Sequence, residues 1–223
     1  MSDIPAHLSS KLSVIDKAQT ALTKSNSRLD NAVANSGVNG LPTIAIGPAQ
    51  GAYLSILCQL LNAKSVLEIG TLGGYSTIWF AQSVPGISVT SIEFNNKHHA
   101  VALENCKGLD NVDIILGAAL DVLPQLAEQG IIFDFVFIDA DWDEQAQYFD
   151  WAVKLTRSKG CIYVDNAVRQ LTEVEDGDET KAWALIEQLK GDERVEATLM
   201  PTLAPYKTTL SSVVDGFVMA IKK

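Results

Sequence analysis

The stretch Ser65-Val-Leu-Glu-Ile-Gly-Thr-Leu-Gly-Gly-Tyr-Ser-Thr77 restricts the fold more than any other part of the chain. Val66, Leu67 and Ile69 form a nearly continuous apolar run, the pattern of a strand covered on both faces, as in parallel sheets. The run breaks at Gly70, Gly73 and Gly74, where backbone can approach a ligand closely, and a helical pattern resumes from Tyr75 to Ala81. A buried strand, a tight turn and a helix N-terminus are the means by which a doubly wound sheet holds a nucleotide-like ligand. The spacing is GxxGG, not GxGxxG. Glu68 inside it would repel a pyrophosphate, so the turn suits a cationic ligand better.

From that strand onward the periodicity alternates. Helices are predicted near 75–83, 96–107, 119–128, 144–156 and 179–190, and strands at 65–69, 87–93, 112–116, 133–138, 160–164, 195–200 and 215–221. Right-handed crossovers stack such βα units into one mostly parallel, seven-stranded sheet with helices on both faces, a Rossmann-like α/β fold. Upstream, Leu8, Leu12, Ile15 and Leu22 fall at near-helical spacing, and a second helix is expected from Ser27 to Ala34. Residues 37–48 read as a loop, and Pro48 opens a Leu- and Ile-rich helix running to Leu61. The expected organisation is an N-terminal helical appendage, 1–40, and one domain, 41–223. A chain of 223 residues with 47% hydrophobic content can bury such a core.

Composition removes several function classes. The formal charge is −10, with five Lys/Arg against three Asp/Glu in residues 1–64 and twelve against twenty-four in the remainder. A phosphate backbone needs a basic surface, so nucleic acid is not an expected partner. No apolar run reaches the length of a membrane span, and Met1 to Pro5 has no signal-like character, so the expected location is cytoplasmic, away from membranes. Cys58, Cys106 and Cys161 are odd in number and widely spaced, as core thiols in a reducing compartment are. The acidic run Glu173–Glu179 reads as a solvated loop, with Asp178 as a cap for the following helix.

Three strand ends carry candidate chemistry. Glu93 closes the second strand, where a carboxylate accepts two hydrogen bonds from a ribose diol; the plainer alternative is a solvated charge. Asp139 and Asp165-Asn166 close two later strands. If those strands are neighbours, three oxygen donors meet in the crevice beyond the sheet, a set suited to a hard divalent cation such as magnesium. Singly, either Asp also suits a turn cap.

Leu67-Glu-Ile-Gly-Thr-Leu-Gly-Gly-Tyr-Ser-Thr-Ile78, Phe137-Ile-Asp-Ala-Asp141 and Val164-Asp-Asn166 together resemble the metal-dependent class I O-methyltransferases, which include the caffeoyl-CoA and catechol enzymes. The resemblance runs from about Leu41 through Lys222. It implies S-adenosylmethionine as methyl donor, a divalent metal, a small vicinal dihydroxyaromatic acceptor and a homodimer, with the N-terminal helices at the interface. It puts Gly70, Thr71 and Ser76 around the amino acid end of the cofactor, Glu68 nearby through hydrogen bonds, Glu93 on the ribose, Ala118 beside the adenine and Ile46 at a backbone contact. Asp139, Asp165 and Asn166 would hold the metal, Asp139 also lying near the cofactor's amino group; Asp141 and Gln170 fall where the family contacts substrate.

One position departs from the family. Three residues after Asp139, where many members carry a general-base lysine, this chain has Trp142. Its indole either stacks on the acceptor or wedges the loop against the sheet. The proton then goes to another group, or a metal alone acidifies the hydroxyl, or catechol chemistry is lost. The alternatives to a catechol enzyme are therefore a cofactor-binding regulatory protein and a methyltransferase for another nucleophile, such as an RNA base. Of the remaining polar and aromatic residues, His98 and His99 are expected on the surface, and His7 near the site only if the N-terminal segment folds over it. Tyr148, Phe149 and Trp151 are expected in helix packing, and Trp183 and Tyr206 are candidates for the pocket wall.

Overall fold

The computed structural model describes residues 4–172, 181–207 and 210–223. Three helices, α1 (Ala6–Leu22), α2 (Ser27–Val38) and α3 (Pro48–Leu60), precede the first strand. Asn26 caps α2 by accepting from Arg28 N at 3.1 Å, and Pro48 occupies the first turn of α3, where a missing N–H costs nothing. Then β1 (Ser65–Ile69), α4 (Tyr75–Ala81), β2 (Ser88–Glu93), α5 (Asn96–Asn105), β3 (Val112–Leu116), α6 (Ala119–Glu128) and β4 (Phe133–Ile138) alternate as their periodicity predicts. A 3-10 turn, Trp142–Glu144, leads into α7 (Gln145–Leu155), β5 (Thr156–Val164) and α8 (Ala167–Thr172). The chain ends with α9 (Lys181–Lys190), β6 (Val195–Leu203), α10 (Leu210–Val213) and β7 (Val214–Lys222).

The seven strands form one sheet in the order β3-β2-β1-β4-β5-β7-β6. The first five are parallel, whereas β7 runs antiparallel to both β5 and β6. Strand order reverses between β1 and β4, and ligands of open α/β sheets bind in the crevice at that switch. Two apolar layers sandwich the sheet. Leu67, Ile69, Val136 and Ile138 pack with α6 and α7 on one face, while Val66, Phe135, Phe137 and Tyr163 pack with α3 and α4 on the other. Alternate residues of one strand thus enter opposite cores, which is why the central strands read as unbroken hydrophobics. Leu29 and Ala32 of α2 belong to the second layer, so this helix is part of the core.

Three local expectations are corrected. Residues 167–172 form α8 where no helix is predicted, β6 extends beyond the expected 195–200 to Leu203, and residues 210–213 make a short helix between the last two expected strands. Six- and four-residue helices are too short to show a period, and the extension of β6 follows from its pairing with β7, including Leu203 with Val214. The acidic run 173–179 and the Asp178 cap lie outside the described residues.

Candidate active site

Parallel pairing extends past the strands themselves. Asp139 N donates to Ile69 O at 2.9 Å, Asp165 N to Ile138 O at 2.8 Å and Gly117 N to Glu93 O at 2.9 Å, so the chain leaves each strand at one sheet edge. At that edge lies a cavity of about 650 Å³, a size that holds a small ligand. Ile46, Gly70, Thr71, Ser76, Glu93, Ala118, Asp139, Asp141, Trp142, Asp165 and Asn166 all line it. The strand ends therefore do meet in one place.

The glycine turn has a defined mechanical basis. Gly70 has φ +96°, and a Cβ there would collide with the carbonyl oxygen of Asp139. Any other residue would separate β1 from β4 at the switch point. Leu72 is held at φ 51°, an uncommon conformation for a branched residue, and its N–H donates to Glu93 Oε2 at 2.8 Å. Glu93 Oε1 accepts from Asn95 N at 2.9 Å. The buried Glu93 carboxylate thus fastens two turns together and retains lone pairs for a ligand, since a carboxylate can accept about four hydrogen bonds.

Glu68 stands apart from the lining residues. It does not line the cavity but is fully buried beneath the turn, where Oε2 accepts from Ser91 Oγ at 2.6 Å and from Thr77 Oγ1. Ser91 Oγ in turn lies 2.5 Å from Thr71 Oγ1, which reaches the cavity wall. Among the described residues Glu68 Oε1 has no hydrogen-bond partner. Burial raises the Glu68 carboxyl to about 7, against hydrogen bonds from Ser76, Ser91 and Thr77 that favour the ionised form. Its influence on a ligand therefore passes through the serine and threonine hydroxyls.

Asp139, Asp165 and Asn166 follow the neighbouring strands β4 and β5 and line the cavity together. Burial raises Asp139, and the carboxylates of Glu68 and Asp215 add to it; burial likewise raises Asp165, with Asp139 and Asp215 as further causes. Asn166 takes the left-handed conformation at φ 56°, which Asn tolerates, and its Nδ2 donates to Asp215 Oδ2 at 3.1 Å. That commitment leaves the Asn166 Oδ1 as the acceptor atom of the amide. Among the described residues no group of three His, Cys, Asp or Glu side chains alone can hold a metal. Two mutually repelling carboxylates, Asp165 buried and Asp139 half-buried, with an amide oxygen are nonetheless a fitting donor set for a hard divalent cation, whose charge would relieve their repulsion.

Several surrounding residues differ from expectation. Gln170 is buried away from the cavity and donates to Gln145 Oε1 at 3.0 Å, while Gln145 Nε2 donates to the Asp165 carbonyl at 3.2 Å. It supports the backbone of Asp165 and cannot touch a ligand there. His98 lines the cavity, with Nδ1 3.7 Å from Glu93 Oε1, because the first turn of α5 faces the end of β2. His99 stays outside, its Nε2 3.0 Å from Ile114 O, and exposed His7 on α1 is not part of the lining. Tyr148 packs in the core yet also reaches the cavity; Tyr206 lines it, and Trp183 does not. Asp215, Gln50, Arg169 and Lys207 line it and had no local sequence signal.

The sequence profile of the O-methyltransferase family aligns with residues 20–205, a range that includes the glycine turn, Glu93, Asp139, Asp165 and Asn166. The chain belongs to the O-methyltransferase family. It is 40% identical over 194 residues to a catechol O-methyltransferase of Niastella koreensis, an alignment covering 82% of this chain and 85% of that protein. It is 37% identical to a catechol O-methyltransferase of Mycobacterium tuberculosis, over 98% of this chain and 94% of that protein. The crystal structure of a Bacillus cereus O-methyltransferase in complex with SAH superposes with a TM-score of 0.86 at 34% identity, covering 95% of this chain and 97% of that one. Membership makes this O-methyltransferase an S-adenosylmethionine-dependent enzyme with the Rossmann-like fold expected from its sequence.

Proposed function

We propose that this O-methyltransferase moves the methyl group of S-adenosylmethionine to one hydroxyl of a small catechol-type acceptor, with a divalent cation, magnesium first among them. The observation that carries this reading is that Asp139, Asp165 and Asn166, which follow the neighbouring strands β4 and β5, line the same cavity as the glycine turn and Glu93. Bound there, the cofactor supplies an electrophilic methyl group and the cation supplies charge that favours the ionised hydroxyl over the free phenol, whose pKa is about 10. The chain's own task is alignment. Glu93 would accept from the ribose diol, exposed Phe94 beside Ala118 would offer an apolar face to the adenine, and the buried Thr71 and Ser76 hydroxyls would hold the amino acid end.

Position 142 supplies no basic nitrogen, and Asp141 is already engaged as a cap, accepting from Asp143 N at 2.8 Å. Half-buried Trp142 instead offers a flat wall for the acceptor ring. The net charge of −10 supports a small-molecule acceptor over RNA. Free, buried cysteines at 58, 106 and 161 support a cytoplasmic setting. The apolar side chains exposed on α1, α2 and α3, among them Val14, Leu22, Val38 and Leu60, support a homodimer through these helices.

The deciding experiment is methyl transfer from labelled S-adenosylmethionine to a catechol panel, with magnesium and with excess chelator. Product that disappears with chelator supports the reading. Cofactor binding without transfer to any catechol would replace it by a protein that has kept the cavity and lost the chemistry, for which Trp142 is the reason.

A further inference from the structure

The cavity wall carries two aromatic rings, each accompanied by a cation. The Arg169 guanidinium carbon lies 5.5 Å from the Trp142 ring centroid, and Lys207 Nζ lies 5.3 Å from that of Tyr206. All four residues line the cavity. They come from separate segments: the turn after β4, α8 three residues beyond Asn166, and the stretch after β6. Since β5 and β6 are both antiparallel to β7, they point the same way, and β6 delivers Tyr206 and Lys207 to the edge that carries Asp139 and Asp165. Tyr206 lies against the Gly47 backbone, where a Cβ would come within 2.8 Å of its ring. The carboxylates of Asp165 and Asp215 act on its hydroxyl, though burial is the larger cause of its raised pKa.

The sign of these charges is informative. Glu93, Asp139, Asp141, Glu144, Asp165 and Asp215 make the rest of the wall acidic, in a chain whose formal charge is −10. Among the described residues of the lining, the lysine and arginine side chains are Arg169 and Lys207 alone. An anionic ligand group would be repelled by such a wall unless cations were aimed at it. Stacking on a ring restricts a long cationic side chain before any ligand arrives, so less rotamer freedom is lost on binding.

Resting on the catechol reading above, we propose that Arg169 and Lys207 form a subsite for an anionic substituent, so that the acceptor is a catechol bearing a carboxylate, its ring lying against Trp142 and Tyr206. Such an acceptor presents its two hydroxyls to the acid-amide end and its carboxylate to the cations. Charge-assisted contacts of this kind give a preference on the order of tenfold over the uncharged analogue.

The test uses the full chain with magnesium and S-adenosylhomocysteine, titrated calorimetrically with catechol, 3,4-dihydroxybenzoate and dopamine, beside kcat/KM for the same three with S-adenosylmethionine. The proposal expects 3,4-dihydroxybenzoate to bind about tenfold tighter than catechol, dopamine no tighter than catechol, and the tenfold ratio to fall toward one in K207Q and in R169Q/K207Q. High salt should shrink the same ratio in the unsubstituted protein. Equal binding of the neutral and anionic probes, no binding of either, or a ratio that survives in K207Q overturns it. Circular dichroism and Tm identify a variant that has failed to fold, and the unsubstituted protein's ratio still decides. Absence of methyl transfer to all three probes would sink the catechol reading, whereas the calorimetric ratio judges the subsite independently of turnover.

Discussion

Gln50 Nε2 donates a 2.9 Å hydrogen bond to Oδ1 of Asp165, joining residues 115 positions apart. The same amide reaches the Tyr163 hydroxyl at 3.3 Å. A helix that precedes the first strand therefore fixes the orientation of a carboxylate at the end of the fifth. Groups that orient a metal-ligating carboxylate typically contribute 10- to 100-fold to affinity or activity. Gln50→Leu is expected to weaken magnesium binding about tenfold and to lower kcat with the fold intact. Calorimetric titration with magnesium checks this, and an unchanged affinity would show that Asp165 needs no such support.

Asp139→Asn and Asp165→Asn are each expected to abolish detectable methyl transfer. They should not destabilise the metal-free protein at pH 8, because each removes one of two mutually repelling charges. Thermal unfolding with and without magnesium separates the two effects. Magnesium should raise Tm in the unsubstituted protein and much less in either variant; equal rises would argue against these ligands.

The Glu68 carboxyl gives a pH dependence whose sign can be stated. Its value is raised from 4.5 to about 7 in the fold, so between those values the folded state binds more protons than the unfolded state. Stability is then lost as pH rises through that window, by roughly 3 kcal/mol at most for this group. Glu68→Gln keeps the shape of the protonated acid and cannot ionise. The variant should match the parent near pH 4 and exceed its stability at pH 8. Denaturant unfolding at both values checks it, and parallel curves for the two proteins would contradict an ionising Glu68.

Trp142→Lys restores a basic nitrogen three residues after Asp139. If proton removal limits the reaction, turnover near neutral pH should rise several-fold, with the rate becoming less dependent on pH between 7 and 9. The Arg169 guanidinium that stacks on Trp142 would then face a second cation, which lowers the lysine pKa and favours its use as a base. A pH-rate profile of both proteins is the measurement. Lower turnover across the whole profile would instead show that the indole wall matters more than a base.

The βα alternation and the glycine turn were legible because burial on both sheet faces writes continuous apolar runs such as Phe135–Ile138, and because Gly70 must lack a Cβ beside Asp139. The acidic strand ends were legible for a related reason. In a parallel sheet all carboxyl ends share an edge, so Glu93, Asp139 and Asp165 had to approach one another once their strands were neighbours. Asp215 could not be read this way. It sits at the start of β7 and reaches the site only because that strand runs antiparallel, a direction no local period encodes.

The sequence by itself determined the layer architecture, the turn and the acidic strand ends, since each follows from spacing along a few residues, and the sheet order then made the ends of β4 and β5 neighbours. Tertiary structure alone decided that Glu68 lies under the turn and not in the cavity, that His98 faces Glu93, and that Gln170 supports Asp165 through Gln145. It also brought Gln50, Arg169, Lys207 and Asp215 to one wall. The physical reason is the same throughout. Periodicity reports which side of an element is buried, whereas the partner that a polar side chain meets depends on how distant elements dock.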